Sequence, residues 1–269
     1  MSSVVNQYDK VTIIAHSMGG LVASHMLTNT SARSKVIKLF TLGTPFLGSA
    51  AVHMLISAGD YSFVMGEGNI LPNDYLDDLL KSAFQLVAIN IPSIYELYPT
   101  EEYFSLSSQQ NMGYLSITDH LNITTNYTTF NNTRTNLPNS LNHNYHGVFN
   151  MNLFDEAVAN NDLLWNGNVH ISSQVDSYYV CGTGQQTIKH IDVEMNILEN
   201  YAYTTTNISK GDSLVLSYSA SINDLYSSQT YYVSASHSEG LLNEPVITFI
   251  KRKISGNNAL PDGFYDNEP

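Results

Sequence analysis

The sequence predicts an α/β protein in which a parallel β-sheet is flanked by helices. Short apolar runs that end in glycine-rich or serine-rich turns are typical of the strands of such a sheet. A helical stretch separates the first two runs, so residues 11–42 have the strand–helix–strand pattern of a right-handed βαβ unit. A long irregular segment follows, and regular patterning returns only near residue 174, which predicts an insertion between strands of the sheet.

Composition narrows the class of protein. The chain has 269 residues, 43% of them hydrophobic, which suffices for a full core, and its net charge is −13. The negative charge argues against nucleic-acid binding and against electrostatic docking to anionic lipid, but leaves apolar contact with lipid open. Cys181 is the only cysteine, so no intrachain disulfide is possible, and a core position is expected for it. No signal peptide and no transmembrane segment is recognised.

The first strand leads into a candidate nucleophile. Residues 11–15 are apolar and β-branched, which predicts a buried strand, and Ser17 follows at a sharp turn into a helix. Such a turn is typical of a nucleophile elbow, in which the serine is strained and its hydroxyl stands above the sheet edge. The flanking residues must be small because strand and helix nearly touch, and Ala15 and Gly19 are small. The amide of Met18 at the helix N-terminus can point at a developing oxyanion. The expected apolar positions of the helix are Met18, Val22 and Met26.

The second strand, residues 35–42, ends in a turn at the same carboxyl edge of the sheet. Ligands bind at this edge in parallel sheets, so the residues beside Ser17 are expected to line a substrate site. The residues predicted to bind substrate are His16, Thr44, Pro45 and Phe46.

Later elements complete the predicted sheet. A third strand covers residues 174–181, a hairpin or edge strand covers 194–206, and a fourth strand covers 230–235. The final helix covers 243–254, where Pro245 fits the first turn and the apolar residues form one face.

The predicted domain organisation is a partial core made of residues 1–49 and 168–255, interrupted by an insertion over 50–167. The insertion alternates apolar helical pieces with glycine, proline and asparagine, so it is expected to be a largely helical or irregular cap. An insertion without function is the alternative. The tail, residues 256–269, is expected to be loose.

The chain order of three residue types predicts serine chemistry. A serine hydroxyl needs a base, and the base needs an orienting acid; on an α/β-hydrolase scaffold the order is serine, acid, histidine. Asp212 lies in a turn after the third strand and His237 directly follows the fourth, so both belong at the edge that carries Ser17. We therefore expect Ser17 to be the nucleophile, His237 the general base and Asp212 the residue that holds the imidazole tautomer.

Other polar residues are weaker candidates. A turn aspartate and a loop histidine are the alternative interpretations of Asp212 and His237. Asp176 lies within a strand and Asp192 outside a clean turn, so neither is favoured as the acid. His143 and His146 lack matching Asp or Cys residues, so no metal is expected, and no cofactor is predicted.

Five ordered blocks carry a family resemblance. They are Ala15-His-Ser-Met-Gly-Gly20, Thr41-Leu-Gly-Thr-Pro-Phe-Leu-Gly-Ser49, Ile91-Pro-Ser-Ile-Tyr-Glu-Leu-Tyr-Pro99, Tyr178-Tyr-Val-Cys-Gly-Thr-Gly184 with Thr187, and Gly211-Asp-Ser-Leu-Val215 with His237. Over roughly residues 8–255 they resemble the lecithin:cholesterol acyltransferase family, which includes the lysosomal phospholipase A2 enzymes.

The resemblance implies an α/β-hydrolase fold with a cap and an acyl-serine intermediate. The acyl group would come from a glycerophospholipid, at a membrane or lipoprotein surface, and pass to a lipid alcohol or to water. Ser17, Asp212 and His237 fall on the family's triad, and Met18 supplies one oxyanion amide. Pro92 and Ser93 fall in the cap region. A lysosomal or secreted location is what the resemblance suggests.

The chain departs from the family in three respects. The family has Gly-Asp-Gly-Thr-Val where this chain has Ser213 and Leu214, and the elbow begins with Ala15. Only about ten residues precede the elbow strand, whereas strands, helices and a loop with the second oxyanion amide come before it in the family. The N-terminal strands are therefore expected to be lacking, and a fragment, a truncated gene model or a degenerate relative are all open.

Two other functions fit the same residues. One is a carboxylesterase or thioesterase of the same fold. The other is a non-catalytic relative that only binds lipid or a partner.

Overall fold

The structure is a computed structural model that describes residues 7–60, 74–107, 115–127, 129, 131, 149–195, 201–222, 225–238 and 240–269. The chain divides into two compact units. Unit 1 comprises Met1–Phe46, Asn160–Thr187 and Ile208–Pro269, and unit 2 comprises Leu47–Ala159 and Ile188–Asn207.

The helices and strands follow in chain order. They are β1 (Val11–His16), α1 (Gly19–Leu27), α2 (Thr30–Arg33), β2 (Val36–Leu42), α3 (Ala51–Ala58), α4 (Asp74–Ala88), α5 (Pro92–Tyr95), α6 (Glu101–Ser107), β3 (Leu115–Thr118), β4 (Thr124–Tyr127), α7 (Met151–Asp162), β5 (Trp165–Asn166), β6 (Val169–His170), β7 (Ser177–Thr183), β8 (Thr187–Met195), β9 (Tyr201–Ile208), α8 (Ser217–Ala220), β10 (Thr230–Ser234), α9 (Glu244–Ile254) and β11 (Phe264–Tyr265). Short 3-10 helices cover Ile171–Gln174, Ser227–Gln229 and Gly240–Leu242.

The sheet of unit 1 has the strand order β1-β2-β7-β10-β11. Its first four strands pair in parallel, and β11 adds to β10 in the antiparallel sense. Parallel strands place their carboxyl ends at one edge, so the segments that follow β1, β2, β7 and β10 meet there. The predicted α/β class with a parallel sheet is confirmed.

Helices cover both faces of this sheet. On one face, Ile13 and Leu39 pack with Leu27 of α1. On the other face, Phe40 and Val233 pack with Phe249 of α9. The inner strands β2, β7 and β10 therefore bury side chains on both sides, which explains their nearly continuous apolar sequences.

Helix α9 is well defined by its ends. The side chain of Asn243 accepts a hydrogen bond from the Val246 N–H at 3.3 Å, and a proline occupies the first turn. Near the other end, Lys253 is buried and its ammonium lies 4.6 Å from the centre of the Tyr231 ring. Cation–π attraction offsets part of the cost of burying that charge.

Two sequence predictions about β1 and α1 differ from the structure. β1 is only partly buried, in contrast to the predicted buried strand: it lies at the edge of the sheet, and Ile14 is 54% exposed. Of the three apolar positions expected on α1, Met26 is buried, but Met18 and Val22 are largely exposed, and Ala23 and Leu27 complete the buried side. Hydrophobic spacing therefore identifies the helix but only approximately the side that faces the sheet.

The C-terminal tail is ordered, in contrast to the predicted loose tail. Phe264 pairs with Val233 of β10 and stacks on Phe249 with ring centres 4.7 Å apart. Lys210 donates to a carboxylate oxygen of Glu268 at 3.1 Å. Local sequence signals do not reveal these contacts because each partner is distant along the chain.

Unit 2 combines helices with a small sheet. Leu55 of α3 packs with Ala88 of α4, and a sheet has the strand order β4-β3-β8-β9. Because β3 pairs in parallel with β8, this unit includes Ile188–Asn207, which the sequence patterns assign to the core. The insertion therefore contributes to a sheet and is not only helical or irregular.

Within the ranges given above, none of the helices combines the length and apolar character needed to cross a membrane.

Candidate active site

Ser17 occupies a strained turn between β1 and α1. Its φ angle is +53°, a region that non-glycine residues rarely adopt. Two hydrogen bonds hold the turn: the Ser17 N–H donates to the Leu42 carbonyl at 2.9 Å, and the Gly20 N–H donates to the Ser17 carbonyl at 3.0 Å. The predicted strand, sharp turn and helix are present.

The position that cannot carry a side chain is Gly20, not Gly19. A Cβ atom at Gly20 would lie 2.0 Å from Thr44 Oγ1, whereas one at Gly19 would only touch Ala15 at 4.0 Å. The Thr44 hydroxyl donates to the Ser17 carbonyl at 3.0 Å. Thr44, in the turn after β2, therefore stabilises the elbow. Its side chain fits there only because Gly20 has no side chain.

Ser17, His237 and Asp212 form one chain of hydrogen bonds. Nε2 of His237 lies 2.8 Å from Ser17 Oγ, and Nδ1 lies 2.8 Å from Asp212 Oδ2. A carboxylate only accepts, so Nδ1 carries the proton and Nε2 accepts from the serine hydroxyl. This arrangement can take a proton from the hydroxyl and hold the resulting imidazolium beside a carboxylate.

The carboxylate of Asp212 is buried, with the residue 1% exposed, and is held by its own turn. Its Oδ1 accepts from the Leu214 N–H at 3.1 Å and the Val215 N–H at 2.7 Å, which leaves Oδ2 for His237. The next residue, Ser213, has a φ angle of +86°. The family that the motif blocks resemble has glycine at this position. A left-handed backbone explains that glycine, because glycine adopts positive φ angles without steric cost.

The backbone of His237 is held at both ends. Its N–H donates to the Asp212 carbonyl at 2.7 Å, and its carbonyl lies 2.7 Å from Nε2 of His16. The sequence places His16 among the predicted substrate-binding residues and gives no sign of this contact.

Two glycines of the site are absent from the sequence-based prediction. Gly43 has a φ angle of +55°, and a Cβ atom there would lie 2.8 Å from Asp212 Oδ2. A Cβ atom at Gly182 would lie 2.5 Å from the Cβ of Asp212. Their positions in the sequence could have identified them, because both glycines lie at or just after the carboxyl ends of strands β2 and β7.

The proposed oxyanion donor lies in the elbow, and Thr44, Pro45 and Phe46 lie in the turn after β2. Met18 precedes α1, and in the part of the chain that the structure describes its N–H has no protein acceptor. Thr44, Pro45 and Phe46 are buried, and Phe46 lies edge-on to His170 with ring centres 5.0 Å apart. Their role in substrate binding stays a prediction.

Burial lowers the pKa of His170 to about 3, with a smaller contribution from the nearby His25. Its Nδ1 lies 2.7 Å from Ser172 Oγ, which in turn lies 2.7 Å from the Tyr179 hydroxyl. His170 is therefore neutral at physiological pH and belongs to the packing beneath Phe46.

The weaker candidates lie elsewhere. Asp176 pairs with Lys38, and Asp192 contacts Ser116 and His190 in unit 2. His143 and His146 lie outside the described residues, and the described ranges contain no cluster of three or more His, Cys, Asp or Glu residues suited to a metal ion. Cys181 is buried in β7, as expected.

A parallel sheet between helices, with a serine elbow after one strand and an acid and a histidine after later strands, defines an α/β-hydrolase-like fold. A family model, the PGAP1-like alpha/beta domain, matches residues 1–57. Among solved structures, the chain is similar to one chain in the crystal structure of the Tle4-Tli4 complex, with a TM-score of 0.56 and 14% sequence identity. The match covers 88% of this chain and 57% of that chain, so this chain spans little more than half of its length. No curated protein matches the chain.

Proposed function

We propose that this chain is a serine-dependent lipid acyltransferase or phospholipase that works through an acyl-serine intermediate. The observation that carries the proposal is the hydrogen-bonded chain from Ser17 through His237 to Asp212, with the serine on a strained elbow. The α/β-hydrolase-like fold and the family match over residues 1–57 support a hydrolase.

In the first half of the reaction, Ser17 Oγ attacks the carbonyl carbon of an acyl ester while its proton passes to Nε2 of His237. Asp212 stabilises the imidazolium, and the Met18 N–H donates to the oxyanion. The bond to the alcohol then breaks, and the alcohol oxygen takes the proton from Nε2. An acyl-Ser17 ester remains.

The second half repeats these steps in reverse. A water molecule or the hydroxyl of a lipid alcohol gives its proton to Nε2 of His237 and attacks the acyl carbon. Ser17 Oγ leaves with that proton, and the product is a fatty acid or a new ester. Whichever acceptor reaches the site decides between hydrolysis and transfer.

A lipid ester is the proposed substrate because of the ordered motif blocks. Together they resemble the lecithin:cholesterol acyltransferase family, and we propose that residues 50–167 act as a cap over an acyl chain. The buried turn with Thr44, Pro45 and Phe46 is proposed to line the approach to Ser17.

Covalent labelling tests the nucleophile. A fluorophosphonate probe is expected to label the purified chain at one residue, and Ser17→Ala is expected to abolish labelling, a loss of at least about 10⁴-fold in rate. Ser31→Ala, which changes an exposed serine of α2, is the matched control and should label normally. Labelling that survives Ser17→Ala would refute the assigned nucleophile.

Substrate assays then separate the lipid reaction from related ones. Phosphatidylcholine vesicles, with and without a long-chain alcohol, should release fatty acid or form a new ester. Turnover confined to short soluble esters would point to a carboxylesterase or thioesterase. Vesicle binding without any turnover would point to a lipid-binding relative.

A further inference from the structure

We propose that His16 is a positioning residue that holds the loop of the general base through a hydrogen bond to the carbonyl of His237. His16 is the last residue of β1 and directly precedes the nucleophile. Its Nε2 lies 2.7 Å from the His237 carbonyl oxygen, although 221 positions separate the two residues. This inference rests on the proposed function.

The contact defines which ring nitrogen of His16 carries a proton. A carbonyl oxygen can only accept, so Nε2 of His16 carries the proton and donates it. The proton is therefore committed to the loop of the base and is not available as a donor to substrate. In this proposal His16 acts through another residue and does not donate a proton to substrate.

The contact completes a clamp on His237. The His237 N–H donates to the Asp212 carbonyl at 2.7 Å, so Asp212 holds one side of the residue and His16 the other. The two imidazole rings lie 5.0 Å apart, tilted by 43°, which limits how far the base can rotate. Because Nε2 of His237 must stay within bonding distance of Ser17 Oγ, a small displacement of this loop reduces the rate of proton transfer.

The hydrogen bond from His16 also links the end of β1 to the loop that carries His237. Ser17 follows His16 directly, so the nucleophile and the donor to the base share one backbone segment. A displacement of the end of β1 therefore moves both partners of the Ser17–His237 pair together.

Two substitutions of similar shape isolate the hydrogen bond. Glutamine places an amide N–H near the position of the imidazole Nε2, whereas methionine has similar length and no donor. The measured quantity is the second-order rate constant for labelling of Ser17 by a fluorophosphonate. His16→Met is expected to react about tenfold more slowly than His16→Gln, the ratio that one lost hydrogen bond produces.

Steady-state kinetics on a soluble ester provide a second readout. His16→Met should lower kcat relative to His16→Gln and leave KM unchanged, because the hydrogen bond orients the base and does not touch substrate. His25→Met, in the last turn of α1, is the matched control and should match the wild-type rate.

Equal rates for the Met and Gln variants would overturn the inference while leaving the nucleophile in place. A raised KM with normal kcat would also overturn it, because that result means direct contact with substrate. If the wild-type chain does not label at Ser17, the proposed function fails and this inference fails with it. If His16→Met unfolds at a lower temperature than His16→Gln, the comparison is made well below both transitions.

Discussion

At the residue scale, the site depends on backbone conformations that side chains rarely adopt. Ser17 and Ser213 have positive φ angles of +53° and +86° without being glycine. Each costs of the order of 1–3 kcal/mol, and such strain persists only where the surrounding contacts hold it. At Ser17 those contacts are the Leu42 carbonyl and the Gly20 N–H, and at Ser213 the N–H donates to Thr187 Oγ1 at 3.0 Å.

Gly43 provides a test at this scale. Gly43→Ala is expected to reduce Ser17 labelling about a hundredfold or more, because a Cβ atom would displace the Asp212 carboxylate and Leu241. Gly167→Ala is the matched control. Gly167 has a similar φ angle of +60°, and a Cβ atom added there would meet none of the described atoms within 4 Å.

Both substitutions carry the same backbone cost of about 1–2 kcal/mol, so both lower the unfolding temperature. Only Gly43→Ala should lower the labelling rate. If the two variants lose activity equally, the close approach of Gly43 to Asp212 has no role in the site.

At the element scale, the two edges of the sheet of unit 1 are covered to different extents. β1 is the edge strand at one end, with Ile14 largely exposed. At the other end β11 covers β10, and it does so with only two residues. So short a strand is held mainly by its side chain, since Phe264 inserts into the cluster around α9.

Removal of that side chain is the test at this scale. Phe264→Ala is expected to lower the free energy of unfolding by about 3–5 kcal/mol, because a buried phenylalanine is replaced by a cavity. Tyr265→Ala, in the same strand but 44% exposed, should cost less than about 1 kcal/mol. Denaturant titration measures the free energy of unfolding of both variants. If Phe264→Ala costs as little as Tyr265→Ala, the Phe264 side chain does not contribute to the core.

At the scale of the whole molecule, each unit contains a buried histidine with a strongly lowered pKa. Burial lowers the pKa of His170 in unit 1 and of His53 in unit 2, each to about 3. The unfolded chain binds protons at these side chains with an ordinary pKa near 6.5, so it binds more protons than the folded chain below that pH. Stability is therefore fully present above pH 6.5 and is lost progressively as the pH falls towards 3.

The loss of stability in acid tests the lowered pKa values of these two histidines. At pH 5 each histidine is expected to reduce the free energy of unfolding by about 2 kcal/mol relative to neutral pH. His170→Asn keeps an acceptor near the position of Nδ1 but cannot titrate, so it should remove about 2 kcal/mol of the loss between pH 7 and pH 5. His120→Asn, which changes an exposed histidine, is the matched control. A pH dependence that is the same in all three chains would refute the assignment.

Local patterns are sufficient to predict much of unit 1. The strand–turn–helix around Ser17, the approximate limits of β2, β10 and α9, and the order of serine, acid and histidine all follow from short runs of sequence. The rule that parallel strands end at one edge then brings Ser17, Asp212 and His237 together in the prediction. No distance is needed for that step, because topology alone places the ends of such strands side by side.

Other features could not be predicted in this way. The donor from His16 to the His237 carbonyl, the approach of Gly43 to Asp212 and the pairing of β11 with β10 join residues far apart in the chain. The inclusion of β8 in the sheet of unit 2 is of the same kind.

The sequence by itself determined the fold class and the order of the candidate residues, because hydrophobic periodicity and turn residues act over a few positions. Only the tertiary structure decided which glycines have no room for a side chain, where the tail packs and which atom His16 contacts. These depend on backbone distances of a few ångströms between distant segments, and such distances exist only once the chain has folded.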